Sequence, residues 1–457
     1  MIKITGLPVD ETVTLNALVE QVKAKQPRNE LRSAMMDHKR TFENWPLVQE
    51  MGDLKAVIGW PAKGVEPLAR RCRLEGFTLS GGESLEDFGL DTMLEETQYL
   101  RRAKMGALNS LVHSVSFEVA TTSDDPAEPE VLITHVSALN GTGTWNGRLG
   151  RLDDFLSVTE WDRGEPKAWA LYMPAGTWVY QNKTLDFQEH RLGRVPVEPL
   201  IYKPRLDRPF GQSRITRSVI FLTRSAARVI VRSEATADLY SAGGLLALGL
   251  SAEQIGEGSW RQGVGSVIGI PDADVGPAEA PQLARVAIEK IEQASQEPHV
   301  AQLKAWAQLF SGEMSIPISS LGISSEANPT SAESYAASRE DLIAEAEDAN
   351  EEWGAARRRS VLNAFALRED IAHTDIPAGL LGLRQKVRDP RHMSQAASAD
   401  AFVKVASVIP GLAETDTAVD MLGLDPALAE RLKNDLRRNR SSAMLNALAG
   451  VADGIDG

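Results

Sequence analysis

Apolar residues recur with helical spacing over much of the chain, and one stretch between them breaks into short strands. Thr14–Arg28 and Glu30–Phe42 carry helical spacing, and "WPAKGVEPLARRCRLEG" reads as a short helix running into a strand. Glu95–His113 is predicted helical, with Tyr99, Ala103 and Ala107 at i, i+4. "SDDPAEPE" (Ser123–Glu130) is a polar turn. From Val131 to Tyr202 the pattern changes to short strands. "VLITHVSA", "FLSVTEW", "AWALYMP" and "TWVYQN" are separated by Asn146–Gly147, "DRGEP" and "PAG", which predicts an antiparallel meander. Prolines then hold "PVEPLIYKPRLDRPFGQS" extended, because a residue before proline avoids the α region.

Helical spacing returns over Arg214–Tyr240, with Ile215, Val219, Leu222, Ala226, Val229 and Ile230 on one face. Arg214, Arg217, Arg224, Arg228 and Arg232 fall on another, within an arc of roughly 80°. Gly243–Pro281 is rich in glycine and proline, with a short strand at Val264–Ile270. Helices are predicted at Gln282–Ala294 and at Pro298–Met314, the second with proline in its first turn. Small polar residues and turn formers follow from Ser319. Asn328–Pro329 is a turn signal, and Thr330-Ser-Ala-Glu333 has the form of a capping box. An acidic helix is predicted from there to about Asp370, with a kink at Gly354. Further helices are expected near Ala396–Val408, Thr415–Leu422 and Pro426–Leu448, ahead of a frayed "GVADGIDG".

A chain of 457 residues exceeds what one core serves, so two or more structural units are expected. With 43% hydrophobic and 6% aromatic residues it is globular. "GGLLALGL" is too short to span a bilayer, and "MIKITGLPVDE" has no secretory pattern, so no membrane partner is expected. Cys72 is the one cysteine. Arg70, Arg71 and Arg73 beside it would lower a thiol pKa, but a structural role in a reducing cytoplasm is the stronger expectation. The net charge of −14 argues against tight, general DNA binding, whose affinity comes from phosphate neutralisation. An acidic lining would instead let DNA slide past.

The search for chemistry is mostly negative. Gly-Lys never occurs, which excludes a Walker A phosphate loop. "GTGTWNG" (Gly141–Gly147) leads into hairpin strands rather than a helix, so it offers a pyrophosphate no helix N-terminus. Seven histidines are scattered without metal-ligand spacing, and there is no G-x-S-x-G elbow. Asp153–Asp154 and Glu351–Glu352 are adjacent pairs whose side chains diverge, which suits solvent better than a metal. No catalytic residue, cofactor or metal is expected. The arginine stripe has three readings: a solvated face, pairing with acids on neighbouring helices or subunits, or contact with phosphates. The acidic helix reads as exposed on one side, with Tyr335, Leu342, Ala346, Ala349 and Trp353 on a packed side.

The order of these pieces carries a resemblance. "LGRVPVEPLIYKPRLDRPFGQSRITRSVIFLTRSAARVIVRSEATADLYSAGGLLALGL" (Leu192–Leu250) is followed by "IPISSLGISSEANPTSAESYAASREDLIAEAEDANEEWG" (Ile316–Gly354). Together with "DPRHMSQAASADAFVKV" and "LGLDPALAERL", they resemble portal proteins of tailed bacteriophages, especially those of actinobacteria. "YSAGGLLALGL" departs from the proline–glutamine–arginine-like stretch expected there. The resemblance implies an α+β, multidomain subunit with an α/β wing, a long helical stem, a small α/β clip and a helical C-terminal crown region. It places the wing at 1–210, stem helices at 211–242 and 298–314, and the clip at 243–297. The tunnel loop would be 315–330, a long acidic wing helix 331–370, and wing and crown helices 371–457.

It further implies a ring, a dodecamer in the virion, at one capsid vertex, assembled in the host cytoplasm. Its partners would be the major capsid protein, scaffold protein, the terminase large subunit, a head-completion adaptor and transient double-stranded DNA. In the loop, Ser319, Ser320, Ser324, Ser325 and Asn328 would make weak, exchangeable bonds to phosphates, Glu326 would add repulsion, and Gly322 would keep the loop mobile. Lys304, Arg217, Arg224 and Arg228 would supply a cationic belt. The alternatives are a metal-dependent hydrolase or nuclease, or another oligomeric virion protein.

Overall fold

The computed structural model describes residues 4–39, 56–80, 84–123, 125–240, 245–250, 267–271, 287–290, 295–323, 339–391, 395–424 and 426–453. The fold class is α+β, and the chain divides into two compact units, Met1–Arg388 and Asp389–Gly457.

The first unit opens with α1 (Val9–Met36), one helix where spacing predicts two. Residues 40–42 of the second lie outside the described residues. Pro27 sits inside α1 without ending it. Leu15, Leu18, Val19 and Val22 before it, and Asn29, Arg32 and Met35 after it, are all buried. That burial offsets the ~3 kcal/mol an interior proline costs. Helix α2 (Trp60–Arg71) runs into strand β1 (Leu74–Leu79), as expected. The helix predicted at Glu95–His113 is two, α3 (Leu90–Glu96) and α4 (Tyr99–His113). Thr97 Oγ1 donates back to Met93 O at 2.8 Å and Gln98 takes a φ of 51°, which delivers Tyr99 to the core.

Strands β2 (Val115–Thr122) and β3 (Val131–Ser137) pair with each other, and β2 also pairs with β9 (Val197–Ile201). The stretch "VLITHVSA", expected to open the meander, therefore belongs to a different sheet. The meander itself is β4 (Gly141–Asn146), β5 (Arg151–Asp162), β6 (Glu165–Met173), β7 (Gly176–Gln181) and β8 (Thr184–Glu189), antiparallel in sequence order. Left-handed pairs at Arg163–Gly164 (φ 48° and 82°) and Asn182–Lys183 (φ 52° and 66°) make its tight turns. "GTGTWNG" is a hairpin strand, as read. Phe117, Phe155, Tyr172 and Val197 fill the space between the two sheets, while Leu15, Leu18 and Val19 of α1 pack with Leu156, Trp169 and Leu171.

After β9 come α5 (Arg217–Tyr240) and strands β10 (Leu245–Leu250), β11 (Val267–Pro271) and β12 (Ala287–Lys290), in sheet order β11-β10-β12. The helix predicted at Gln282–Ala294 is overturned at its centre, because Ala287–Lys290 pairs antiparallel with Leu245–Leu248. A short apolar run has no period that separates helix from strand, and a neighbouring strand decided it. Helix α6 (Glu297–Glu313) follows, then α7 (Glu340–Arg368) and β13 (Leu383–Val387), which pairs with β1. Gly354, where a kink is predicted, lies inside α7, which runs as one helix from Glu340 to Arg368. Gly354 lets the Gln385 amide lie against the helix, where a Cβ would overlap it. Val361, Leu362 and Phe365 of α7 close a core with Leu90, Tyr99 and Leu383.

Cys72 is buried, and burial pushes its thiol up to about 12 despite nearby arginines, so it is a structural residue. His113 is buried between α4 and α1, with Ser33 Oγ 3.3 Å from Nε2. Burial, and then the Arg32 cation, hold its imidazole down to about 4. An unfolded histidine titrates near 6.5, so between those values the unfolded chain binds the extra proton. Stability conferred by neutral His113 is full above about pH 6.5 and falls on acidification at up to about 1.4 kcal/mol per pH unit. Urea unfolding at pH 7 and pH 5 is expected to show this loss, and His113→Gln to flatten it.

The second unit holds α8 (Gln395–Val408), α9 (Asp416–Met421) and α10 (Pro426–Asp453), each within a few residues of its predicted bounds. Gly411 (φ 80°) and Gly423 (φ 61°) turn the chain between them, and Thr415 caps α9. Residues 454–457 of the tail lie outside the described residues.

Candidate functional site

The chain crosses itself just before α5. Gln212 N donates to Tyr202 O at 2.9 Å, and Gly211 passes over that carbonyl at φ 68°. A Cβ there would overlap Tyr202 O. Gly211→Ala is expected to cost ~1–2 kcal/mol for the left-handed backbone alone, read as a lower urea midpoint at unchanged slope.

Arg214, which spacing assigns to the arginine stripe, lies ahead of the helix and is 5% exposed. It therefore leaves the stripe. Its Nε donates to Gly64 O at 2.9 Å, Nη2 to Met314 O at 2.6 Å and Nη1 to Tyr202 Oη at 3.2 Å. Nη1 also pairs with the Glu345 carboxylate, which accepts from Tyr202 Oη and Lys203 Nζ as well. One guanidinium thus joins α2, the end of α6, the exit of β9 and α7. Burial alone would raise the Glu345 carboxyl, but Arg214, Lys203 and Tyr202 outweigh it and hold it below its ordinary range.

Met314 leads directly into the expected loop. Ser315 takes a φ of 48°, Ile316 N donates to Ser311 O at 3.1 Å, and Ile318–Leu321 forms one 3-10 turn. Ile318, Leu321 and Ile323 pack on the core containing Trp60, Phe310 and Trp353. Gly322 ends the turn at φ 80°, its N donating to Ser319 O at 3.1 Å. Ser319 and Gly322 are exposed and Ser320 half-buried. Ser324, Ser325, Glu326 and Asn328, with the Thr330–Glu333 capping box, lie outside the described residues.

Helices α5 and α6 run antiparallel. Thr216 bonds Glu313 at 3.0 Å at one end, while Ser233 bonds Gln296 at 2.8 Å and Thr236 meets His299 at 3.1 Å at the other. Arg217 and Arg224 are exposed on α5, and half-buried Arg228 donates to Ser225 Oγ at 3.0 Å. Lys304 on α6 is half-buried, and the Trp306 ring two residues further on meets Phe221 of α5 at 6.1 Å. Tyr202 and Glu345 were missed as site residues. The available signal was Glu345 itself, an acid beside Leu342, Ala346 and Ala349 on the packed side of α7.

The class these observations define is an α+β protein in which the two antiparallel helices and the long acidic helix α7 are tied to α2 and the end of β9 by one buried ionic node. The particular likeness is to phage proteins. The chain is 26% identical over 399 residues to the portal protein of Mycobacterium phage D29, covering 84% of this chain and 79% of that one. It is 27% identical over 372 residues to the portal protein of Mycobacterium phage L5, covering 78% and 74%. The portal-protein resemblance read from the motifs thus extends over most of the chain. No protein-family model matches. Solved structures that align with it include the neck of an empty gene transfer agent particle, at 10% identity over 85% of this chain and 96% of that one, TM-score 0.44. The neck of the native particle aligns at 12% identity over 86% and 99%, TM-score 0.40.

Proposed function

We propose that the chain is the subunit of a phage portal: copies close into a ring at one capsid vertex, and DNA enters and leaves along its axis. The carrying observation is the similarity to two portal proteins along most of both lengths. In this reading the part is structural rather than enzymatic. The wing is 1–210, α5 and α6 are the stem, the segment with β10–β12 is the clip, 315–330 is the tunnel loop, and the second unit contributes wing and crown. Twelve copies form the virion ring. Assembly takes place in the host cytoplasm with scaffold and major capsid protein, the clip docking terminase and later an adaptor.

The tunnel loop meets passing DNA through Ser319, Ser320, Gly322, Ser324, Ser325, Glu326 and Asn328. Hydroxyl and amide groups bond phosphates weakly, and a chain of net charge −14 creates no deep electrostatic well. DNA therefore moves past without sticking. Electron microscopy of the purified protein tests the ring: closed rings with an axial hole are expected, and monomers that cleave DNA with Mg²⁺ would overturn the reading. Replacing Ser320 and Ser324 with lysine is expected to slow packaging about tenfold, the effect of a ~1.4 kcal/mol deeper well, with rings intact. Unchanged packaging would remove the loop from the channel.

A further inference from the structure

The outer face of the α5–α6 pair carries large apolar groups that the described fold leaves uncovered. Phe221 is 55% and Leu309 57% exposed, and the half-buried Trp306 ring meets Phe221 at 6.1 Å. Phe221 lies between exposed Arg217 and Arg224 on one helical stripe, at positions i, i+4 and i+7. The outward face of α7 has the opposite character. Asp341, Ala344 and Asp348 are all exposed there, and reading back from Asp348 they fall at i, i−4 and i−7. Both charge pairs are two helical turns apart, about 10.5 Å. The two patterns coincide when the helices run antiparallel.

We propose that these faces are the two halves of one contact between copies of this chain. Arg217 meets Asp348, Phe221 covers Ala344, and Arg224 meets Asp341 of the neighbouring copy. Different surfaces on each copy make the contact heterologous, the kind that closes a ring when the rotation is right. The inference rests on the ring reading and names its subunit contact. It assigns Arg217 and Arg224 to that contact rather than to a cationic belt facing DNA.

The full-length chain tests this by charge reversal, with oligomers measured by mass photometry and microscopy. Arg217→Glu/Arg224→Glu, and separately Asp341→Lys/Asp348→Lys, are each expected to lower the ring fraction at least tenfold. Thermal unfolding of each variant checks that the subunit still folds. Mixing the two variants re-creates opposite charges across every contact and is expected to restore rings of alternating subunits. Rings that persist in both variants, or a mixture that stays monomeric, would overturn the contact while leaving the portal reading intact. Persistent rings with slowed packaging in the arginine variant alone would return those residues to the channel. Wild-type protein that never forms rings would overturn both.

Discussion

Replacing Arg214 with alanine is expected to destabilise the Met1–Arg388 unit by ~3–5 kcal/mol, the range for breaking a buried ion pair from one side. The loss has three parts. Glu345 keeps a buried charge with its strongest partner gone. The Gly64 and Met314 carbonyls lose their guanidinium donor, and so does Tyr202 Oη. Arg214→Lys retains a charge but not the planar fork that reaches four acceptors at once, so it recovers only part of the loss. The pH response separates the ionic share from packing. In the wild type the depressed Glu345 carboxyl contributes stability that is full above its ordinary value near 4.5 and is lost as pH falls below it. Alanine at 214 removes the main cation responsible, so the variant's urea midpoint should fall less steeply over that acid range. Equal acid slopes in the two proteins would show that Arg214 acts by packing alone.

Much of the fold could be read along the chain, and the misreadings have physical causes. The meander was visible because its short strands are bounded by Asn-Gly, Arg-Gly and Pro-Ala-Gly turns. Strand β2 gave no such signal: six consecutive residues from Val115 are buried, so inside and outside do not alternate. Gln98 and Pro27 misled in opposite directions. A left-handed Gln98 breaks a helix that spacing joins, while the buried face of α1 carries a helix through a proline. At the site, the arginine stripe was correct for Arg217, Arg224 and Arg228 as one exposed or half-buried face. Arg214 shares their period but not their role, because the partners that bury it come from positions 64, 202, 314 and 345. Periodicity reports which side of a helix faces out; it carries no information on four distant segments converging at one point.

The companion prediction concerns Trp353, which is fully buried on α7 and donates Nε1–H to Ile201 O at 2.9 Å. Trp353→Ala is expected to cost ~3–5 kcal/mol, through lost burial and the cavity left behind. Trp353→Phe should cost less, with the Ile201 bond contributing about 1 kcal/mol. Two neighbours sharpen the expectation. The Arg357 guanidinium lies 5.5 Å from the Trp353 ring and is itself fully buried, so truncation removes an aromatic face from a charge that cannot reach water. Ile201 is joined to Tyr202, so Trp353 and Arg214 bond adjacent residues, Trp353 to Ile201 and Arg214 to Tyr202. Their effects should not add, and a double-mutant cycle is expected to show a coupling of about 0.5–3 kcal/mol. Cys72 gives a local readout. Its Sγ lies 3.8 Å from Ala346 O, one residue from Glu345, so this part of α7 helps cover the thiol. Thiol labelling under native conditions should be slow in the wild type and markedly faster in either single variant. Labelling that stays slow while global stability falls would mean that the helix remains seated without these anchors and that the node acts elsewhere.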